Sequence, residues 1–129
     1  MQSTYDRELL INLVANILWS LGQIRKRFAV IRTSEDFLKD DEGLEKLDSI
    51  CMQIINIGEA LKEIDKITDS QFLDQYKGID WKKAKGMRDV ITHHYFDIDA
   101  EIVYSVCHER LPEMETAMRR ILKDLEEGC

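Results

Sequence analysis

The sequence predicts an all-α protein, an antiparallel four-helix bundle with one or two short extra helices. Three observations carry that reading. Apolar residues recur at intervals of three and four along most of the chain, the period of a helix with one buried face. No segment alternates with period two for long enough to form a strand. The chain contains one proline and six glycines in 129 residues, below the usual shares of about 5% and 7%, which disfavours turn-rich β folds. The length suits one hydrophobic core and is too short for two, so residues 1–129 are read as a single helical domain.

The elements follow in order. The first helix is expected to begin near Ser3 or Thr4, since Ser3 and Asp6 stand in capping-box spacing. Leu10, Val14, Ile17, Leu21, Ile24 and Phe28 then form a packing seam. Thr33-Ser34-Glu35-Asp36 reads as a cap before a short helix carrying Phe37 and Leu38. After Asp40-Asp41 the seam resumes at Leu44, Leu47, Cys51, Ile54, Gly58 and Leu61. Gly58 lies inside this helix, where glycine costs up to about 1 kcal/mol relative to alanine, and a close approach of another helix would account for it. Thr68 to Tyr76 reads as a short capped segment. Asp80 caps a helix from Trp81 to about His93, and Asp99 caps the next, with Ile102, Val103 and Val106 apolar. Pro112 is expected to kink or restart that helix. Met114, Met118, Ile121, Leu122 and Leu125 carry the pattern to the end.

Composition narrows the function classes. Apolar residues make up 44% and charged residues 33%, which fits neither a disordered tail nor a membrane protein. The longest uncharged window, Leu9 to Ile24, is shorter than the roughly 20 apolar residues of a membrane span. Asn12, Asn16, Ser20 and Gln23 stripe it. Ser49 to Gly58 is also free of charge. Both windows imply burial on more than one side, and hence a second subunit. The three cysteines, Cys51, Cys107 and Cys129, have neither the number nor the spacing of a disulfide framework or zinc ribbon, and the N-terminus lacks signal-peptide features. A reducing, cytoplasmic location is expected.

The net charge is −7, which argues against a general nucleic-acid coating. The charge is uneven, however. From Lys77 to Arg88 there are five basic residues, Lys77, Lys82, Lys83, Lys85 and Arg88, against the single acid Asp80. That stretch could touch a few phosphates. Immediately after it comes the one stretch dense in chemistry: Arg88, Asp89, His93, His94 and Tyr95. Asp89 and His93 are i and i+4, neighbours on one helix face. A carboxylate beside an imidazole favours the protonated ring or fixes its tautomer. Arg88 and His93 are five apart, about 140° around an ideal helix. Their tips converge if the helix ends near Thr92, if the arginine wraps, or if a second subunit supplies one of them. An arginine and a titratable histidine without a metal-ligand set suit RNA cleavage, because RNA supplies its own 2′-hydroxyl nucleophile. The alternative is a surface ion pair.

Arg88, His93 and Tyr95 reproduce the R-x4-H-x-Y signature of HEPN-domain toxins, specifically the HepT-like family. The flanks are similar too: Ile57-Gly58-Glu59-Ala60, Ile79-Asp80-Trp81, Gly86-Met87, Tyr95-Phe96-Asp97-Ile98-Asp99, Ile102-Val103 and Leu111-Pro112. Residues 1–50 match mainly in helix pattern and in Phe37-Leu38. Three positions depart from the family pattern. Asp89 stands where asparagine is frequent, Thr92 where an aliphatic residue is usual, and Asp80 where proline often precedes the tryptophan.

The resemblance implies a HEPN-like bundle and a metal-independent, cofactor-free endoribonuclease toxin acting as a homodimer in a type VII-like toxin–antitoxin system. Arg88 and His93 would be catalytic, Asp89 supporting, and Lys82, Lys83 and Lys85 RNA-contacting. A neighbouring MNT-type nucleotidyltransferase antitoxin would transfer AMP to Tyr95. RNA is the expected substrate, with tRNA the family's best guess for the target, and neither DNA nor membrane is an expected partner. The competing reading is a non-catalytic helical subunit that binds the nucleotidyltransferase. Glu59, uncharged on both sides in sequence, is read as a buried acid that either reaches an Arg or Lys across the bundle or contributes to the cleft, and it is left outside the catalytic set. His94 is expected at the surface, His108 as structural, and Trp19 and Trp81 as core or interface anchors.

Overall fold

The computed structural model describes residues 6–93 and 99–128. Helix α1 spans Arg7–Phe28, α2 spans Asp41–Ile67 and α3 spans Trp81–His93. The fourth arm consists of α4 (Ala100–Ser105), a π turn over Val106–Arg110, and α5 (Leu111–Glu126). Short 3-10 turns at Ser34–Phe37 and Leu73–Gln75 join the arms. The protein is all-helical, and no strand occurs among the described residues.

Local chemistry sets most boundaries. Asp6 is extended and its side chain accepts from the Leu9 N–H. The first helix therefore starts at Arg7, later than the Ser3 or Thr4 expected, and those two residues lie outside the described ones. Thr33 and Asp36 form the anticipated capping box. Asp40 accepts from Gly43 N at 2.8 Å, Asp80 from Lys83 N at 3.0 Å and Asp99 from Glu101 N at 2.9 Å. Each carboxylate satisfies an otherwise orphaned amide and complements the positive end of its helix.

The end of α2 is made by Asp69 and Ser70, both left-handed with φ of 52° and 59°. Ser70 N donates back to Asp65 O at 2.8 Å, closing the last turn. The short segment expected from Thr68 to Tyr76 is thus a reversal followed by a 3-10 turn. Further on, Pro112 lacks the N–H its position would need. The π turn accommodates it: Leu111 N bonds to Val106 O, and α5 restarts with proline in its first turn.

The arms pack antiparallel. Contacts between α2 and α3 run in opposite directions along the chain, from Lys85–Asp65 to Lys62–Asp89. Arg25 meets Glu115 at one end of the α1–α5 pair, and Arg7 meets the Leu125 carbonyl at the other. Leu10, Val14, Ile17, Leu21 and Ile24 are buried as expected, and with Ile50, Ile54, Ile57, Leu61, Met118 and Ile121 they join one core. Leu44 and Ile102, placed on seams by periodicity, are instead exposed. Trp81 is buried, its Nε1 donating to Tyr76 O at 2.9 Å, which anchors the start of α3.

Candidate functional site

Arg88 sits where α2 and α3 approach most tightly. Gly58 makes that approach possible: a Cβ there would lie 2.6 Å from the Arg88 Cβ. The glycine inside α2 is therefore explained by the helix contact that carries the candidate arginine. Arg88 Nε lies 3.0 Å from Glu59 Oε1, and its Nη1 donates to Asp89 Oδ1 at 3.1 Å. Lys62 Nζ reaches the same Asp89 oxygen at 3.3 Å. Two cations and two carboxylates thus alternate along the α2–α3 surface, and their formal charges cancel. The hydrogen bond from Arg88 first, and that from Lys62 second, hold the Asp89 carboxyl below the usual carboxylate range. Asp89 is accordingly ionised at neutral pH.

The basic stretch is less uniform than its sequence suggests. Lys85 is ion-paired with Asp65, whereas Lys82 and Lys83 are exposed. Lys83 and Arg110 help line an open apolar groove of about 390 Å³ between α3 and the fourth arm, with Val90, Ile102 and Val106. Helix α3 is described from Trp81 through His93, and whether it ends near Thr92 lies outside the described residues. The His93 side chain, His94 and Tyr95 lie outside the described residues. Among the described residues, no three His, Cys, Asp or Glu side chains converge as a metal-binding group.

Comparison with known proteins places this geometry in a family. The family described as Ribonuclease HepT-like matches residues 17–121, a span that includes Gly58, Glu59, Arg88, Asp89, His93 and Tyr95.

The chain belongs to the HepT-like family.

Three relatives of this HepT-like chain illustrate the likeness. It is 30% identical to "Putative RNase MJ0127" of Methanocaldococcus jannaschii, over 73% of this chain and 72% of that protein. It is 33% identical to "Putative RNase TTE0752" of Caldanaerobacter subterraneus subsp. tengcongensis, over 69% and 73%. It is 23% identical to "Probable ribonuclease HepT" of Thermococcus cleftensis, over 71% of this chain and 98% of that protein. No solved structure matches the chain.

Glu59 reaches a basic residue on another helix, as its sequence setting suggested, but without the expected burial. Its side chain is 55% exposed rather than buried, and it pairs with Arg88. The signal was a lone acid next to a glycine in an uncharged stretch. Lys62, one turn further along α2, was not singled out at all, since a lysine on an exposed helix face looks like any other. His108 stacks on Tyr104 with ring centroids 5.7 Å apart, and Tyr104 in turn donates to Arg32 O at 2.8 Å. These bonds tie the fourth arm to the end of α1. Cys51 and Cys107 are buried free thiols, their pKa values pushed up by burial to about 11 and about 12. Both are protonated and unreactive at neutral pH.

Proposed function

We propose that this HepT-like chain is a metal-independent endoribonuclease toxin acting as a homodimer in the cytoplasm, on RNA such as tRNA. The observation that carries the reading is Arg88: a cation held by carboxylates at the helix surface, five residues before His93 in a chain whose family is described as Ribonuclease HepT-like and whose relatives carry RNase names. His93 deprotonates the 2′-hydroxyl or protonates the leaving 5′-oxygen, with the partner subunit's copy taking the other role. Arg88 binds the scissile phosphate and stabilises its added charge in the transition state. Asp89, one turn before His93, orients the imidazole. Its described contacts both fall on Oδ1, so Oδ2 is the atom suited to that task. Lys82 and Lys83 contact flanking phosphates, and Lys85 contributes less because Asp65 already neutralises it. The products carry a 2′,3′-cyclic phosphate and a 5′-hydroxyl.

Neutralisation follows the same chemistry. An MNT-type nucleotidyltransferase transfers AMP to the Tyr95 hydroxyl, adding negative charge and bulk next to the phosphate site.

The decisive experiment compares wild type, Arg88→Ala, His93→Ala and Tyr95→Phe for RNA cleavage and growth arrest, with and without the nucleotidyltransferase. Wild type should cleave RNA in excess EDTA, and the Ala variants should lose cleavage while keeping their circular dichroism. Tyr95→Phe should stay toxic and resist the antitoxin. Equal cleavage by wild type and His93→Ala would leave the non-catalytic subunit as the better reading.

A further inference from the structure

The candidate phosphate ligand is braced before any RNA arrives. Arginine ends a stem of four rotatable torsions, so a guanidinium on an exposed helix face samples many positions unless something holds it. Here three neighbours do so. Gly58 brings the α2 backbone against the Arg88 stem, with 3.5 Å between the Arg88 backbone N and the site of a Gly58 Cβ. Glu59, the next residue along α2, sets its Oε1 3.0 Å from Nε, an atom shielded from solvent; the contact is an ion pair lying off the line of a hydrogen bond, so it holds the guanidinium by charge and proximity. Asp89 accepts from Nη1 at the other side of the fork.

The two carboxylates are not equivalent. Asp89 is the immediate sequence neighbour of Arg88, is exposed, and shares its oxygen with Lys62. A phosphate oxygen arriving at Nη1 can take its place, leaving Asp89 to Lys62. Glu59 comes from a different helix and holds the shielded Nε. It can stay in contact while the outer nitrogens change partners.

Resting on the ribonuclease reading, we infer that Glu59 is a positioning residue. It pins Arg88 through Nε so that the Nη edge is presented to the scissile phosphate, while Asp89 holds that edge until RNA displaces it. Binding energy lost with Glu59 is then lost chiefly in the transition state, where the phosphorane needs the guanidinium in register.

The test has two arms, on wild type, Glu59→Gln and Glu59→Ala. The first measures steady-state cleavage of end-labelled bulk tRNA. The expected result is a kcat reduced about tenfold in Glu59→Gln and about a hundredfold in Glu59→Ala, with KM changed less than about twofold. Glutamine rescues part of the loss because it keeps the length and an acceptor oxygen. Melting temperatures should match wild type. The second arm records the Arg88 Nε–H resonance, assigned by its disappearance in Arg88→Lys, and its exchange with solvent. In Glu59→Ala the resonance should shift and exchange faster. A kcat within twofold of wild type in Glu59→Ala, or an unchanged Nε–H exchange rate, overturns the inference. If wild type cleaves no RNA, the ribonuclease reading fails on the first arm, and the second still decides whether Glu59 fixes Arg88.

Discussion

At the scale of single residues, the site depends on a missing side chain as much as on those present. Gly58 is buried, and a methyl group there would overlap the Arg88 Cβ at 2.6 Å. That contact is with the root of the side chain, which cannot swing away without moving α3. Gly58→Ala gains helix propensity worth about 1 kcal/mol, but forced overpacking typically costs about 1–3 kcal/mol. The net expectation is a lower melting temperature together with a larger loss of RNA cleavage than the stability change explains, because Arg88 shifts with the helix. Thermal denaturation and cleavage assays on the same preparation check this. A variant as stable and active as wild type would mean that the helices part without disturbing the arginine. Gly58 was noticed in the sequence as a cost without a cause. Its cause became visible only when the facing helix was placed.

At the scale of elements, the antiparallel pairs are fastened near their ends by charges. Glu115 in the first turns of α5 bonds Arg25 from the last turn of α1, and it accepts from Arg119 at 2.9 Å. Burial acts to raise the Glu115 pKa, but the bonds from Arg25 and then Arg119 outweigh it and hold the carboxyl below its ordinary range. A depressed carboxylate pKa stabilises the fold above the unfolded value, and that contribution is lost as pH falls through the folded value. Glu115→Gln should therefore be less stable than wild type at pH 7, by about 1 kcal/mol or less since both arginines are exposed. The difference should shrink as pH drops below 4.5, the ordinary value for this group. Urea denaturation of both proteins at pH 7 and pH 3 measures it, and a gap that persists at pH 3 would assign the effect to packing. The caps were legible beforehand because each is a local exchange between a side chain and amides two or three residues on. Spacing alone gave the caps at Thr33, Asp80 and Asp99. The π turn was not legible: proline announced a disturbance, but the register shift over Val106–Arg110 depends on how α4 and α5 must both meet the core.

At the scale of the whole molecule, the uncharged windows bury one face in the core and leave the other exposed within one chain. Trp19 is 60% exposed and Met52 56% exposed, and Asn12 and Asn16 share the outer face of α1 with Trp19 by helical spacing. An exposed tryptophan on an uncharged face is the composition of an interface centre rather than of solvated surface. With the homodimer proposed above, Trp19→Glu should shift sedimentation from dimer to monomer at micromolar concentration. RNA cleavage should fall with it if the two subunits share a site. A wild-type protein that sediments as a monomer would remove the shared-site mechanism, and a dimer unaffected by Trp19→Glu would move the interface elsewhere. Among the described residues no helix is long and apolar enough to cross a membrane, which agrees with reading the Leu9–Ile24 window as a protein-facing stripe.

The sequence by itself determined the helical class, the order of the four arms, the caps at Thr33, Asp80 and Asp99, the main seams and the motif that joins Arg88 to His93. All of these are written in short-range spacing: a turn of helix is 3.6 residues, and a cap acts over three. Tertiary structure alone decided which charges meet. Arg88 finds Glu59 across 29 positions, Lys62 finds Asp89 across 27, and Lys85 finds Asp65 across 20. It also exposed Leu44 and Ile102, which periodicity had placed on the buried faces. Periodicity says that a helix has an inner face but not which neighbour covers it. Two charges of opposite sign on separate helices meet only where packing of the apolar faces fixes the helices in register. Here that register is set at Gly58, where the absence of a side chain brings α2 and α3 together and places a carboxylate beside the arginine.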